Sequence, residues 1–200
     1  METAVYSMLC LTSVVGLGVI LWRAWMLRWS MVVPPPIAAA LEDCRSRPDL
    51  ARLREVCQRH PSPIGRLLLF AANHLDWPKT ENVSSLETAA RREVVGLERG
   101  LVVLEIIVGI APLLGLVGTI VGMMTVFSGI GESDLGNASH LAQGISVILK
   151  ATLIGLLIAI PALIAWSYFS KKVEVFAVEM ETLCDDFIRR QYTDKTPDKK

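Results

Sequence analysis

Charge is missing from three long runs of this 200-residue sequence. Residues 4–22 carry nineteen positions without Asp, Glu, Lys or Arg, residues 106–127 carry twenty-two, and residues 144–169 contain Lys150 alone. A helix needs ~20 apolar residues to cross ~30 Å of hydrocarbon, so each run is long enough, and a typical soluble domain is excluded. Other absences narrow function. Cys10, Cys44, Cys57 and Cys184 show neither CxxC spacing nor a clustered His partner, which leaves them as small packed thiols and argues against a zinc site or a disulfide framework. No basic groove with interleaved aromatics occurs, so nucleic acid is not expected as a partner. No paired carboxylate, activated nucleophile or phosphate loop emerges. Gly129-Ile130-Gly131 lacks the surrounding residues of a dinucleotide or phosphate site. An enzyme is therefore the weakest reading, with no cofactor and no metal expected. No strand alternation or internal repeat is present.

What is there is apolar and blocked: 52% of residues are hydrophobic, and the excess sits in those runs, as in a membrane protein. Lys and Arg are absent from 128–143, number twelve from Arg23 to Arg99, and number seven from Lys171 onward. The positive-inside rule then places residues 1–3 outside and 23–100 and the C-terminus in the cytoplasm. The 128–143 loop, with Glu132, Asp134 and His140, falls outside. The expected fold is an all-α membrane protein with transmembrane helices at 4–22, 101–127 and 144–169, the second and third extending into a cytoplasmic helical domain. A cytoplasmic helix over 170–190 and a disordered tail over 191–200 complete the layout. A cleaved signal peptide ending near Ala38-Ala39-Ala40 is the alternative for the first run. Against it, no Lys or Arg precedes the run, Arg23 and Arg28 follow as stop-transfer charges, and Trp22, Trp25 and Trp29 suit an interfacial belt.

Pro34-Pro35-Pro36 cannot continue a helix and should turn the chain along the membrane surface. The spacing predicts one helix over 37–59, ended by Pro61 and Pro63, and a second through Ile64, Leu67, Leu68, Ala71 and Leu75, stopped by Pro78. Ser84 with Glu87 matches a capping box, and no strong break follows before Gly129, so the second span should continue unbroken from below the membrane. Residues 144–190 read as one helix, with Phe176, Met180, Leu183, Phe187 and Ile188 as a buried stripe.

Within the second span Gly115, Gly118 and Gly122 line one side, and Gly118 with Gly122 forms a small-xxx-small pair that lets backbones approach. Thr152, Gly155 and Ala159 repeat the pattern in the third. Counting from the outer loop, Thr119 lies eight residues before it and Thr152 eight residues after, each ~12 Å down, so two hydroxyls are expected at one depth. The plain alternative is helix packing, with each threonine bonding its own i−4 carbonyl. Pro112 and Pro161 each free a carbonyl inside an apolar run and mark either a hinge or a structural kink.

Ala111-Pro112-Leu113-Leu114-Gly115-Leu116-Val117-Gly118-Thr119-Ile120-Val121-Gly122-Met123 resembles the second-span motif of the MotA/TolQ/ExbB proton channel family. Gly144-Ile145, Ala151-Thr152-Leu153-Ile154-Gly155-Leu156 and Ala159-Ile160-Pro161-Ala162 resemble the ExbB/TolQ third span, and the similarity covers about residues 85–190. The resemblance implies an inner-membrane homopentamer whose second and third spans line a pore. It also implies a single-span ExbD/TolR-like partner that brings a titrating membrane Asp, and a TonB/TolA-like energy transducer. Proton passage would then drive envelope transport or mechanical work, with Thr119 and Thr152 along the proton path. Two departures stand out: Val147 occupies the place of the family's usual Glu, and Lys150 that of an apolar residue.

Lys150 lies ~9 Å from the outer end and ~200° around the helix from Thr152. It reads as snorkelling to the headgroups, with an intersubunit ion pair or an electrostatic gate as sharper readings. Glu105, four residues above the inner end, reads as hydrated or paired at the cytoplasmic entrance, with proton exit as its sharper role. A flagellar-type stator is disfavoured by the short 23–100 segment. A non-conducting scaffold, with a degenerate pore, stays open.

Overall fold

The computed structural model describes residues 2–44, 49–130 and 138–193, with side chains for all of these except 2–3, 128–130, 138–144 and 147. Glu132, Asp134, the side chains of His140 and Val147, and the tail beyond 193 lie outside the described residues. Among the described residues there is no strand, and eight helices follow one another: α1 (Glu2–Met26), α2 (Trp29–Val32), α3 (Pro35–Asp43), α4 (Leu50–Arg59), α5 (Pro63–Asn73), α6 (Lys79–Glu98), α7 (Leu101–Ile130) and α8 (Ala138–Thr193). The all-helical class expected from the sequence stands. So do three helices long and apolar enough to cross a membrane, at Ala4–Met26, Leu101–Phe127 and within Ile148–Thr193. The chain divides into two compact units, one formed by residues 1–23 and 100–169 and the other by residues 24–99 and 170–200.

In the first unit, α1, α7 and α8 run alternately up and down. Val5 lies at Gly118 and Gly16 at Ile107, so α1 is antiparallel to α7. Thr152 lies at Gly115 and Ile148 at Gly122, so α7 is antiparallel to α8. Small residues carry the contacts, with Ile107, Ala111, Ala159 and Ala162 forming a buried cluster. The large apolar side chains point the other way: Leu17, Leu21, Leu113, Ile120, Leu153 and Leu157 are all exposed. A soluble bundle would invert this arrangement, whereas hydrocarbon tails solvate Leu and Ile at no cost and leave close packing to Gly and Ala.

In the second unit the apolar residues turn inward. Ile64, Leu67, Leu68 and Ala71 of α5 are buried, as are Leu53, Cys57 and the stripe Phe176, Met180, Phe187 and Ile188 on α8. Leu183 of that expected stripe is half-buried, and Cys184 and Val173 take buried places beside it. Ser62 caps α5, accepting from the Gly65 amide at 3.2 Å, with Pro63 in the first helical turn. This satisfies one of the amides a helix start leaves orphaned. Trp29 packs on Phe176 with ring centroids 5.4 Å apart. Tyr192 donates to the Trp77 carbonyl at 2.9 Å and accepts from Asn82 Nδ2 at 3.1 Å, so the end of α8 is fastened to the start of α6.

Three local expectations are corrected. The single helix over 37–59 is two: α3 ends at Asp43, with Cys44 as its C-cap, and α4 begins at Leu50. The capping box at Ser84 and Glu87 does not start a helix, because α6 already begins at Lys79, with Pro78 as its N-cap and no side-chain cap hydrogen bond. The run from α6 into α7 is also broken, since Arg99 is extended (φ −51°, ψ 133°) and Gly100 adopts φ +84°. Only glycine enters that region freely, which is why the break falls at this residue. The expected single helix over 144–190 is present and starts six residues earlier, at Ala138.

Burial pushes the Cys57 thiol up to about 11, and neighbouring Cys44 adds to it. Iodoacetamide should therefore alkylate Cys57 at least about a hundredfold more slowly in the native protein than in the unfolded chain near pH 8.5, because only thiolate reacts. Peptide mapping after timed labelling checks this. Gly100→Ala should destabilise by ~1 kcal/mol or more, the strain of a positive φ on a side-chain-bearing residue, measured by thermal unfolding in detergent.

Candidate functional site: the glycine-faced helical hairpin

Four glycines bring the backbones of α7 and α8 into contact. A methyl group on Gly115 would lie 2.9 Å from Thr152 Cα and 3.0 Å from the Ala151 carbonyl oxygen. On Gly118 it would meet Ala151 Cβ at 2.8 Å, on Gly122 the Ile148 side chain at 2.6 Å, and on Gly155 the Ala111 carbonyl oxygen at 2.6 Å. The nearest contact at each of the four glycines is under 3.0 Å, closer than real Cβ atoms come, so a side chain at any of them would force its neighbour to shift. The sequence placed Gly115, Gly118, Gly122 and Gly155 on packing faces. Their partners Ala111, Ile148 and Ala151 went unrecognised, although Ala111 stands four residues before Gly115 on the same stripe.

This approach positions the two threonines. Thr152 is half-buried, and its hydroxyl donates across the interface to the Gly115 carbonyl at 3.4 Å. Thr119 is also half-exposed and donates within its own helix to the Leu116 carbonyl at 2.7 Å. The register sets Thr152 opposite Gly115, four residues or ~6 Å from Thr119 at Cα, so counting from the loop missed the backbone level by about one turn. The hydroxyls nevertheless bond consecutive carbonyls of α7, ~1.5 Å apart in rise. Thr119 thus makes the local back-bond within its own helix that simple packing gives, at i−3 rather than i−4, whereas Thr152 bonds across the interface instead. Each hydroxyl has spent its proton and keeps lone pairs for an incoming donor.

Lys150 is exposed, while the next residue, Ala151, is buried against Gly118 and level with it. Glu105 is exposed on the first turns of α7, a full helical stretch away from Lys150 in this antiparallel register. Pro112 and Pro161 both stand inside helices that continue past them. Pro161 lies beside an apolar hollow of ≈ 530 Å³ among α1, α7 and α8, which Tyr6, Cys10, Ser13, Ile107 and Leu157 also line. No group of His, Cys, Asp or Glu among the described residues has the geometry of a metal site.

Gly155→Ala should cost about 1–3 kcal/mol through forced separation of two backbones, whereas Gly109→Ala, with nothing within 4 Å of the added methyl, should be neutral or slightly stabilising. Thermal unfolding of the two variants in one detergent compares them directly.

Comparison with known proteins places this hairpin. Residues 62–182 match the MotA/TolQ/ExbB proton channel family, from the cap of α5 through both spans and into the descending half of α8. The match begins well before residue 85, where the motif resemblance started, so the α5 and α6 helices belong to the shared architecture. An ExbB-like biopolymer transport protein of Synechocystis is 33% identical over 78% of this chain and 62% of its own length. A second ExbB-like protein of that organism is 33% identical over 78% of this chain and 75% of its own. The Tol-Pal system protein TolQ of Pseudomonas aeruginosa is 36% identical over 52% of this chain and 45% of its length. The chain thus spans less than two thirds of two of these three relatives. Its matched segment, its motifs and its three apolar helices make it a multi-pass membrane protein that belongs to the MotA/TolQ/ExbB proton channel family, of the ExbB/TolQ type.

Proposed function

We propose that this chain is the proton-channel subunit of an ExbB/TolQ-like complex in the inner membrane, which couples the proton motive force to envelope transport or mechanical work. The observation that carries the reading is the pair of threonine hydroxyls on consecutive carbonyls of a glycine-faced hairpin. The pore itself would form between copies of the chain, a homopentamer in this reading, with the N-terminus outside and the second unit in the cytoplasm as the Lys and Arg distribution favours. The titrating acid would come from a single-span ExbD/TolR-like partner, and a TonB/TolA-like protein would carry the work onward.

A carboxylate that alternates between charged and neutral forms in an apolar tunnel needs partners for both. The neutral acid donates its O–H to a hydroxyl lone pair, and both threonines offer one as they stand. The ionised acid needs donors, so a hydroxyl must release its carbonyl. Thr152 does this more cheaply, because its bond at 3.4 Å is long and weak while that of Thr119 at 2.7 Å is short. Neither threonine adds a fixed charge that would trap the ion. Glu105, exposed near the start of α7, is placed to exchange protons with water. Lys150 in turn puts a cation on the outer half of α8, where it can hold off a second positive charge.

Thr119→Val with Thr152→Val should slow proton flux at least about tenfold in liposomes containing the partner, since a hydrogen bond to a charged group is worth ~1.5–3 kcal/mol. Thr152→Ser should retain most of the flux, and Glu105→Gln should slow it. Unchanged flux in the double valine variant would remove the hydroxyls from the path. No flux from the unaltered complex would instead favour a non-conducting scaffold, the reading to which Lys150 and Val147 lend support.

A further inference from the structure

Arg23 closes the first apolar helix and is buried, with 1% of its surface exposed. Among the described residues its Nε and Nη2 find no hydrogen-bond partner. The guanidinium keeps its charge at any physiological pH, and a buried cation without an acceptor is strongly disfavoured. Trp22 offers one ring face, 5.4 Å from the guanidinium carbon, which attracts the cation but accepts no in-plane N–H bond.

The guanidinium lies against the start of α7. A methyl on Gly100, the residue before Leu101, would sit 3.2 Å from Arg23 Nε and 3.6 Å from its Cζ. That start is itself unpaired in charge. Glycine has no side-chain oxygen to cap the first turn, and the first turn holds no acidic residue, so the positive end of a 30-residue helix has no compensating group of its own. Two positive features therefore meet at one point in the first unit, and among the described residues no acceptor meets Nε or Nη2 of Arg23. Taken alone, either would be unremarkable; together they pair a helix start with a guanidinium fork, the two groups that bind phosphate best.

We infer that Arg23 and the start of α7 bind a phosphate oxyanion, and that its source is the phosphodiester of a membrane phospholipid rather than free phosphate. Arg23 stands at the end of a bilayer-length apolar helix next to Trp22, the depth at which headgroups lie. The exposed Leu17 and Leu21 just above it give acyl chains a surface to follow. The bound lipid would mortise α1 to α7 where the chain enters the first unit for the second time. The inference rests on the membrane placement and not on whether the assembly conducts protons.

The test uses the full chain, purified and stripped of lipid in a neutral detergent, with thermal stability followed as additives are titrated. Phosphatidylglycerol should raise the melting temperature of the unaltered protein. Diacylglycerol with the same chains, which lacks only the phosphate headgroup, should not. Arg23→Met should weaken the phosphatidylglycerol response at least about tenfold in apparent affinity, the loss expected for charge-assisted hydrogen bonds. Arg23→Lys, which keeps charge but loses the fork, should fall between. Should Arg23→Met fail to fold, Arg23→Lys and the phosphatidylglycerol–diacylglycerol contrast still decide. Equal responses to the two lipids, or an undiminished response in Arg23→Lys and Arg23→Met, would overturn the site. A shift reproduced by inorganic phosphate alone at millimolar concentration would overturn the lipid as its source.

Discussion

Everything in the membrane unit follows from two helix backbones that touch. Where Gly115, Gly118, Gly122 and Gly155 lack a Cβ, α7 and α8 approach until the Ala111 carbonyl and the Thr152 backbone become direct neighbours of glycine. The register of the hairpin is fixed at that seam, because shifting either helix by one residue would drive a side chain into a main chain. From the register come the level of Thr152 at Gly115, the burial of Ala151 and the exposure of Lys150.

The two units solve opposite solvent problems with one kind of secondary structure. In the first, Leu and Ile face outward and Gly and Ala form the interior, since lipid exerts no hydrophobic pressure and only close packing holds helices together. In the second, Leu, Ile and Phe fill the interior, since water does exert that pressure. Helix α8 serves both, with a small-residue face in its first half and the Phe176, Met180, Phe187 and Ile188 stripe in its second. The 56 residues of α8 thus belong to both chemistries.

Much of this was legible beforehand. Three apolar runs, two of them free of charge and the third holding Lys150 alone, gave the spans, the 3.6-residue stripe on α8 gave its buried face, and the glycine spacings identified the packing surface. The errors share a cause. A helix boundary is decided by one residue's dihedrals, and Gly100 in a sequence of helix formers gave no sign that it would take φ +84° while Gly96 and Gly109 stayed helical. The end of α3 escaped notice for a related reason, because apolar spacing across 37–59 persists although the helix stops at Asp43. Arg23 read as an ordinary stop-transfer charge, and its burial depends on what the rest of the chain sets around it.

Composition alone determined that three helices are long and apolar enough to cross a membrane and which residue types line their contacts, because transfer of apolar surface and of charge is nearly additive along a chain. Only the tertiary structure decided which carbonyl each threonine meets and which arginine loses its water. Those outcomes depend on distances between residues far apart in sequence, such as the 37 positions from Gly115 to Thr152, and a hydrogen bond fails over a fraction of an ångström that no spacing rule can specify.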